Sequence, residues 1–259
     1  MKISLVQTDI EWENKKANFI RYESLLKGLE GKTDIVVLPE MFNTGFSMNS
    51  GNLAEPMNGE TMNWMGEITS MHGFGMIGSL IIKEQGRYYN RLIFMKPDGS
   101  YTTYDKGHLF RMEKENLFYT RGSSTVIDSY RNWNFSLQIC YDLRFPVWSR
   151  NRKNNYDILV YIANWPAARR NVWNTLLMAR AIENQCYILG VNRIGKDGNG
   201  IDYCGDTVVI DPRGNVVVKS KLNAEEVITC EISHDELVTF RTKFPVWLDA
   251  DPFKLFSDQ

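Results

Sequence analysis

Eight short runs of this chain are apolar almost throughout, and few architectures can accommodate them. ISLVQ (3–7), DIVVLPE (34–40), MIGSLII (76–82), RLIFM (91–95), FSLQIC (135–140), DILVYIAN (157–164), YILGVN (187–192) and TVVID (207–211) have strand length and β-branched content. A strand with one wet face alternates apolar and polar residues, whereas a strand apolar at successive positions needs cover on both faces. KPDG (96–99) and DPRG (211–214) set Pro and Gly between such runs, as a tight turn requires, so some neighbours must be antiparallel. Two helices are readable between the strands. In NKKANFIRYESLLKGLE, Phe19, Tyr22, Leu26 and Leu29 recur at helical spacing; in RRNVWNTLLMARAIENQ, Trp173, Leu177, Arg180 and Asn184 follow one side, widened by Leu176 and Ala179. A mixed sheet, or two sheets packed together with helices outside, satisfies these requirements: an α/β fold.

No linker, low-complexity stretch or sequence repeat divides the 259 residues, so one domain over 1–259 is expected. A net charge of −1 supplies no field to draw in nucleic acid or an anionic membrane, which leaves a small molecule as the expected partner. The opening MKISLVQTDIEWENKK meets acidic residues after a short apolar run, unlike a signal peptide, and no run approaches the roughly 18 apolar residues of a membrane span. A cytoplasmic location is expected. Cys140, Cys186, Cys204 and Cys230 are scattered with no CxxC, against a disulfide framework or a zinc site, and three of them read as small buried hydrophobes.

Functional groups in layered α/β folds collect where strands end. DIVVLPE ends on Glu40, SYTTYDKGHLF places Lys106 just past a β-like run, FSLQIC ends on Cys140, and DILVYIAN ends on Asn164, followed by Trp165. Taken singly, each has an ordinary explanation: a packed thiol, a helix-capping carboxylate, a solvated lysine. Together they complement one another. A thiol needs a base before it can attack, and a buried glutamate can accept its proton and later pass it to a leaving amine. A lysine ammonium beside them would stabilise the thiolate and then an oxyanion, with the backbone N–H of Tyr141 as a second donor if the chain turns helical after Cys140. The rival is a cysteine–histidine hydrolase, for which His108 is the best placed of His72, His108 and His234. No GxSxG, Walker loop or GxGxxG is present.

The segments VVLPEMF, YDKGHLF, ICYDLRFP and ANWP followed by ARAIENQCY occur in the order found in the nitrilase superfamily of carbon–nitrogen hydrolases, which the chain resembles over nearly its whole length. The resemblance implies Glu40 as general base, Lys106 as cationic stabiliser and Cys140 as nucleophile. It also implies a second glutamate, for which RMEKENLFYTRG offers Glu113 and Glu115; the family's usual distance from that glutamate to the following glycine, here Gly122, favours Glu115. HLFRM, CYDLRFPVWSRN, YIANWPAARR and KFPVWLDADPF further resemble the omega-amidases, which hydrolyse the terminal amide of 2-oxoglutaramate and 2-oxosuccinamate. A four-layer α-β-β-α sandwich that dimerises, with no metal and no organic cofactor, is then implied. A nitrile hydrolase or N-acyltransferase could use the same three residues, and a non-catalytic scaffold is the reading outside enzymes. A substrate carboxylate calls for an arginine. Arg111, Arg144, Arg169 and Arg170 are the candidates, with a structural ion pair as the alternative for Arg144; Asn164 is a candidate substrate contact, and Phe110, Trp165 and Trp173 are candidate pocket walls.

Overall fold

The structure, a computed structural model, describes residues 1–255, and the last four residues of the expected 1–259 unit lie outside the described residues. The fully apolar runs are strands because both of their faces are covered. In β1 (Lys2–Gln7) and β2 (Ile35–Val37), Ile3, Leu5, Ile35 and Val37 face a second sheet, while Val6 and Val36 face helices. β1 and β2 are parallel, as are β2 and β3 (Gly75–Glu84), and β4 (Arg87–Met95) and β5 (Tyr101–Asp105) continue antiparallel. The second sheet is built from β6 (Val126–Tyr130), β7 (Trp133–Ile139), β8 (Ile158–Ala163) and β9 (Tyr187–Asn192). β10 (Ile194–Lys196) and β11 (Asp202–Cys204) form a separate hairpin before β12 (Val208–Ile210) and β13 (Val216–Lys219) complete this sheet. β14 (Glu226–Glu231) returns to the first sheet, antiparallel to β1.

Each sheet has six strands, in the orders β14-β1-β2-β3-β4-β5 and β6-β7-β8-β9-β12-β13. The two orders carry one pairing scheme: an antiparallel edge, three parallel strands, then two antiparallel ones. Helices α1 (Lys15–Leu26) and α3 (Glu60–His72) cover the outer face of the first sheet through Phe19, Tyr22, Trp64, Met65 and Ile68. Helix α5 (Arg170–Asn184) covers the second through Trp173, Leu177 and Ala181. Single turns form α2 (Ser50–Leu53) and α4 (Glu115–Phe118), and α6 (His234–Lys243) adds Leu237 to the core between the sheets. This is the α-β-β-α sandwich, and no described helix is long and apolar enough to cross a membrane.

Both hairpin signals form the turns expected of them, β4 to β5 and β12 to β13. A third, β3 to β4, is closed by Gln85 and Gly86 at φ 50° and 76°, the primed geometry that two-residue loops favour. Helix α1 stops at Leu26, short of the expected Leu29, because Gly28 takes φ 84°. Helix α3 has no counterpart in the sequence reading: polar residues and Gly66 break up its apolar spacing, although Thr61 and Thr69 are buried beside Met65. Edge strand β13 is largely exposed and edge strand β14 is only partly buried, so neither has a fully covered apolar run.

Helix α5 approaches its sheet closely because Gly190 on β9 has no side chain; a Cβ there would stand 2.5 Å from Leu177 Cδ1 and 3.2 Å from Trp173. Gly190→Ala should therefore destabilise the protein by about 1–3 kcal/mol through overpacking, measured by denaturant unfolding.

Candidate active site

Four chain segments that leave the sheets at one end meet around a buried lysine. Glu40 follows β2, Lys106 follows β5, Cys140 follows β7 and Asn164 follows β8. Lys106 is 1% exposed, and its Nζ donates to Glu40 Oε1 at 2.8 Å and to Glu115 Oε1 at 3.0 Å. Burial alone would lower its pKa, but Glu115 and Glu40 outweigh that and raise it, so the ammonium is held charged. Burial, only partly offset by Lys106 and reinforced by Glu40, raises the Glu115 pKa.

The carboxylates are fixed by further donors. Glu115 opens α4, and the Phe110 N–H reaches its Oε2 at 2.5 Å. Asn90 on β4 donates from Nδ2 to Glu40 Oε1 at 2.8 Å and to Glu115 Oε1 at 3.4 Å. The Asn164 N–H donates to Glu40 Oε2 at 2.8 Å, and its side-chain Nδ2 donates to the Glu40 carbonyl at 2.6 Å. Asn164, expected to bind substrate, lines the pocket but is engaged chiefly in clasping Glu40.

Cys140 sits at φ 44°, a left-handed conformation that is strained for a side chain with a Cβ. The chain breaks from strand into a tight turn, Cys140–Arg144, at this residue. As the second residue of that turn, Tyr141 has an N–H among the donors that a helical start leaves unpaired. The turn is held from the outer layer: Arg180 of α5 donates to the Leu143 carbonyl at 2.7 Å, and Leu143 packs beside Trp173. The sulfur faces the Asn164 carbonyl at 3.9 Å. Burial first, then the charge of Glu40, pushes the thiol pKa well above its ordinary range, and Lys106 only partly opposes them. A thiol pKa raised in this way means that a base must act on Cys140 before its sulfur can attack.

A pocket opens over the sulfur, about 470 Å³ of space that is partly open to solvent, lined by Lys106, Phe110, Tyr141, Trp165 and others named below. Its arginines are Arg144 and Arg169, whose guanidinium carbons lie 5.2 Å from the rings of Trp165 and Phe110 respectively. Neither pairs with a carboxylate among the described residues, so the ion-pair alternative for Arg144 does not hold. Arg170 is excluded because it forms a bidentate pair with Asp206 at 2.9 and 3.0 Å. Arg111 is exposed and lines a neighbouring recess with His108 and Arg121, not this pocket. Trp173 lies in the core behind Trp165, their ring centres 5.5 Å apart, and forms no pocket wall. Glu113 lines the pocket mouth while Glu115 contacts Lys106, which separates the two candidates.

His108 is not placed to serve as base. Its ring stacks on Phe145 at 3.7 Å and its Nδ1 lies 2.8 Å from Asp142 Oδ1, outside the pocket that holds the sulfur. The sequence reading missed Asn90, Phe46, Ile201 and Tyr203. Asn90, with Arg91 beside it, interrupts a buried apolar strand, a signal that was available in YYNRLIFM. Phe46, whose ring centre is 4.9 Å from Lys106 Nζ, and the hairpin residues Ile201 and Tyr203 come from irregular connections with no pattern to read.

An α-β-β-α sandwich whose strand ends gather a thiol, an ammonium and two carboxylates has the frame of a cysteine-dependent hydrolase. A family model described as carbon-nitrogen hydrolase matches residues 2–242, and the chain belongs to that family. It is 42% identical to the omega-amidase YafV of Escherichia coli (strain K12), over 99% of each chain. It is 30% identical to the 2-oxoglutaramate amidase of Bacillus subtilis, over 95% of this chain and 96% of the relative. The crystal structure of XC1258 from Xanthomonas campestris, a CN-hydrolase superfamily protein with an arsenic adduct in its active site, superposes with a TM-score of 0.97 at 41% identity, covering 99% of both chains.

Because Glu40 helps to keep the thiol protonated, Glu40→Gln should shift thiolate formation to lower pH. Ultraviolet thiolate absorbance, taken as the difference from Cys140→Ala, checks this; the unsubstituted protein should show no Cys140 thiolate near neutral pH.

Proposed function

We propose that this protein is an omega-amidase, hydrolysing the terminal amide of a 2-oxo dicarboxylic acid monoamide such as 2-oxoglutaramate or 2-oxosuccinamate. The observation that carries the reading is the pocket: a thiol, an ammonium and two guanidiniums without carboxylate partners among the described residues open onto one space. The likeness to relatives named omega-amidase and 2-oxoglutaramate amidase supports the same substrate class. A monoamide of this kind has the amide at one end and a carboxylate at the other, so the thiol takes the first while Arg144 and Arg169 take the second.

In the mechanism, Glu40 accepts the thiol proton as the Cys140 sulfur attacks the amide carbon. Lys106 and the Tyr141 N–H hold the oxyanion that forms. Glu40 returns its proton to the leaving nitrogen as the tetrahedral intermediate collapses, releasing ammonia and leaving a thioester. Water attacks the thioester with Glu40 again as base; the acid leaves and the thiol is restored. Glu115 keeps Lys106 charged and in place throughout. The chain uses no metal and no organic cofactor in these steps.

We place the enzyme in the cytoplasm, where its thiol stays reduced, as a homodimer. The exposed apolar Met178 and Ile182 on α5, beside Gly214 in the turn that leads into β13, support a helix-layer contact between copies. Light scattering should give twice the mass of the chain.

Ammonia release from 2-oxoglutaramate tests the reading, run beside glutamine, asparagine and an aliphatic nitrile. Turnover of the 2-oxo amide is expected, with Cys140→Ala inactive but folded. Arg144→Met and Arg169→Met should raise KM about tenfold or more each, as loss of a charge-assisted bond implies, with less effect on kcat. Silence on the 2-oxo amide with turnover of another substrate would discard the omega-amidase assignment and keep the chemistry.

A further inference from the structure

Lys106 and Cys140 follow strands of different sheets, so something must fix the distance between their segments. One side chain spans them. Asp142, fully buried and two residues past the nucleophile, uses both carboxylate oxygens. Its Oδ1 accepts from the His108 N–H at 2.9 Å and lies 2.8 Å from His108 Nδ1; its Oδ2 accepts from the Tyr104 hydroxyl at 2.7 Å and from the Ile139 N–H at 3.0 Å. Tyr104 and His108 flank Lys106 on either side, and Ile139 directly precedes Cys140. The Tyr104 hydroxyl also accepts from the Gly107 N–H at 3.1 Å and from Trp148 Nε1–H at 2.9 Å. The packing leaves no slack, since a Cβ on Gly107 would lie 2.6 Å from the Trp148 ring.

Asp142 does not line the pocket, so it has no contact to make with substrate. We infer that Asp142 is a positioning residue: it clamps the Lys106 segment to the Cys140 turn and thereby sets where the oxyanion-stabilising ammonium stands relative to the attacking sulfur. The inference rests on the Cys140, Glu40 and Lys106 mechanism above, not on the identity of the amide. His108, the rival base, becomes one of the donors that hold the clamp. An amide in place of Asp142 cannot serve, because an NH2 group must then face donors on one side of the residue. A displacement of order 1 Å at a reacting group can cost about 100-fold in rate.

Asp142→Asn and Tyr104→Phe test this against a purely structural role. Asp142→Asn should lower kcat by about 30-fold or more with KM within about threefold, the split expected when binding survives and positioning is lost. Tyr104→Phe, which deletes one of the donors, should show the same split with a smaller loss. The rate at which iodoacetamide alkylates Cys140 should fall in both variants, in protein shown to be folded by circular dichroism. If Asp142→Asn does not fold, Tyr104→Phe decides the matter. The proposal is overturned if folded variants keep kcat and alkylation rates within about twofold of the parent, or if KM rises while kcat holds. Because alkylation needs no substrate, a rate slowed in the variants, relative to a parent protein that hydrolyses none of the tested amides, would uphold the clamp while the assigned substrate class failed.

Discussion

Lys106 is an ammonium with almost no solvent access, and the active site is arranged around the need to keep it charged. An ion moved from water into a protein interior loses several kcal/mol of solvation, which close partners must offset. Here Glu40 and Glu115 do so from different parts of the chain, and each carboxylate has its own donors: Asn90 and the Asn164 N–H for Glu40, the Phe110 N–H for Glu115. Burial first, and then the charge of Glu40, raises the pKa of the neighbouring thiol, which couples the sulfur to the carboxylate proposed to remove its proton. Removing any one of the three charges would change the ionisation of the other groups, so the site behaves as a unit.

The candidate catalytic residues Glu40 and Cys140 were legible in the sequence because each stands where an apolar run stops, and a reactive group at that place contrasts with what precedes it. Lys106 follows the more polar strand Tyr101–Asp105 and stood out as the amine that complements them. Residues recruited by tertiary packing carry no such signal. Tyr203 and Ile201 belong to a short hairpin whose position depends on the sheets already being assembled, and Phe46 lies in an irregular connection. The arginines show the same limit: four were equally plausible by proximity to motifs, and only spatial placement separates Arg144 and Arg169 from Arg170, bound to Asp206, and from Arg111, which faces another recess. The apolar runs disclosed the interior strands because both faces are buried. Edge strands and α3, each with a mixed surface, did not stand out.

The shared pairing scheme of the two sheets has no visible trace as a sequence repeat, yet it explains where the chemistry lies. Two similar sheets packed face to face place their parallel central strands against one another, and the ends of those strands open in one region. Glu40 comes from the centre of one sheet, Cys140 and Asn164 from the centre of the other. Glu40 and Cys140 are therefore brought together by the packing of Ile3, Leu5, Ile35 and Val37 against Phe135, Leu137, Ile158 and Val160, and the hydrogen bonds from Asn164 to Glu40 lock that placement. A core substitution that tilts one sheet against the other would be felt in the active site without touching it.

Strand β14 pairs with β1 across nearly the whole chain, the Ser4 and Thr229 hydroxyls meeting at a separation of 225 residues. During synthesis on the ribosome, β1 therefore emerges long before its partner exists, and the first sheet must wait with one edge uncovered. Unpaired edges invite the wrong neighbour, another nascent chain included. For this protein, the interval between translating β1 and translating β14 is the period of greatest exposure to misassembly, and the enzyme cannot be finished piecemeal as the chain appears.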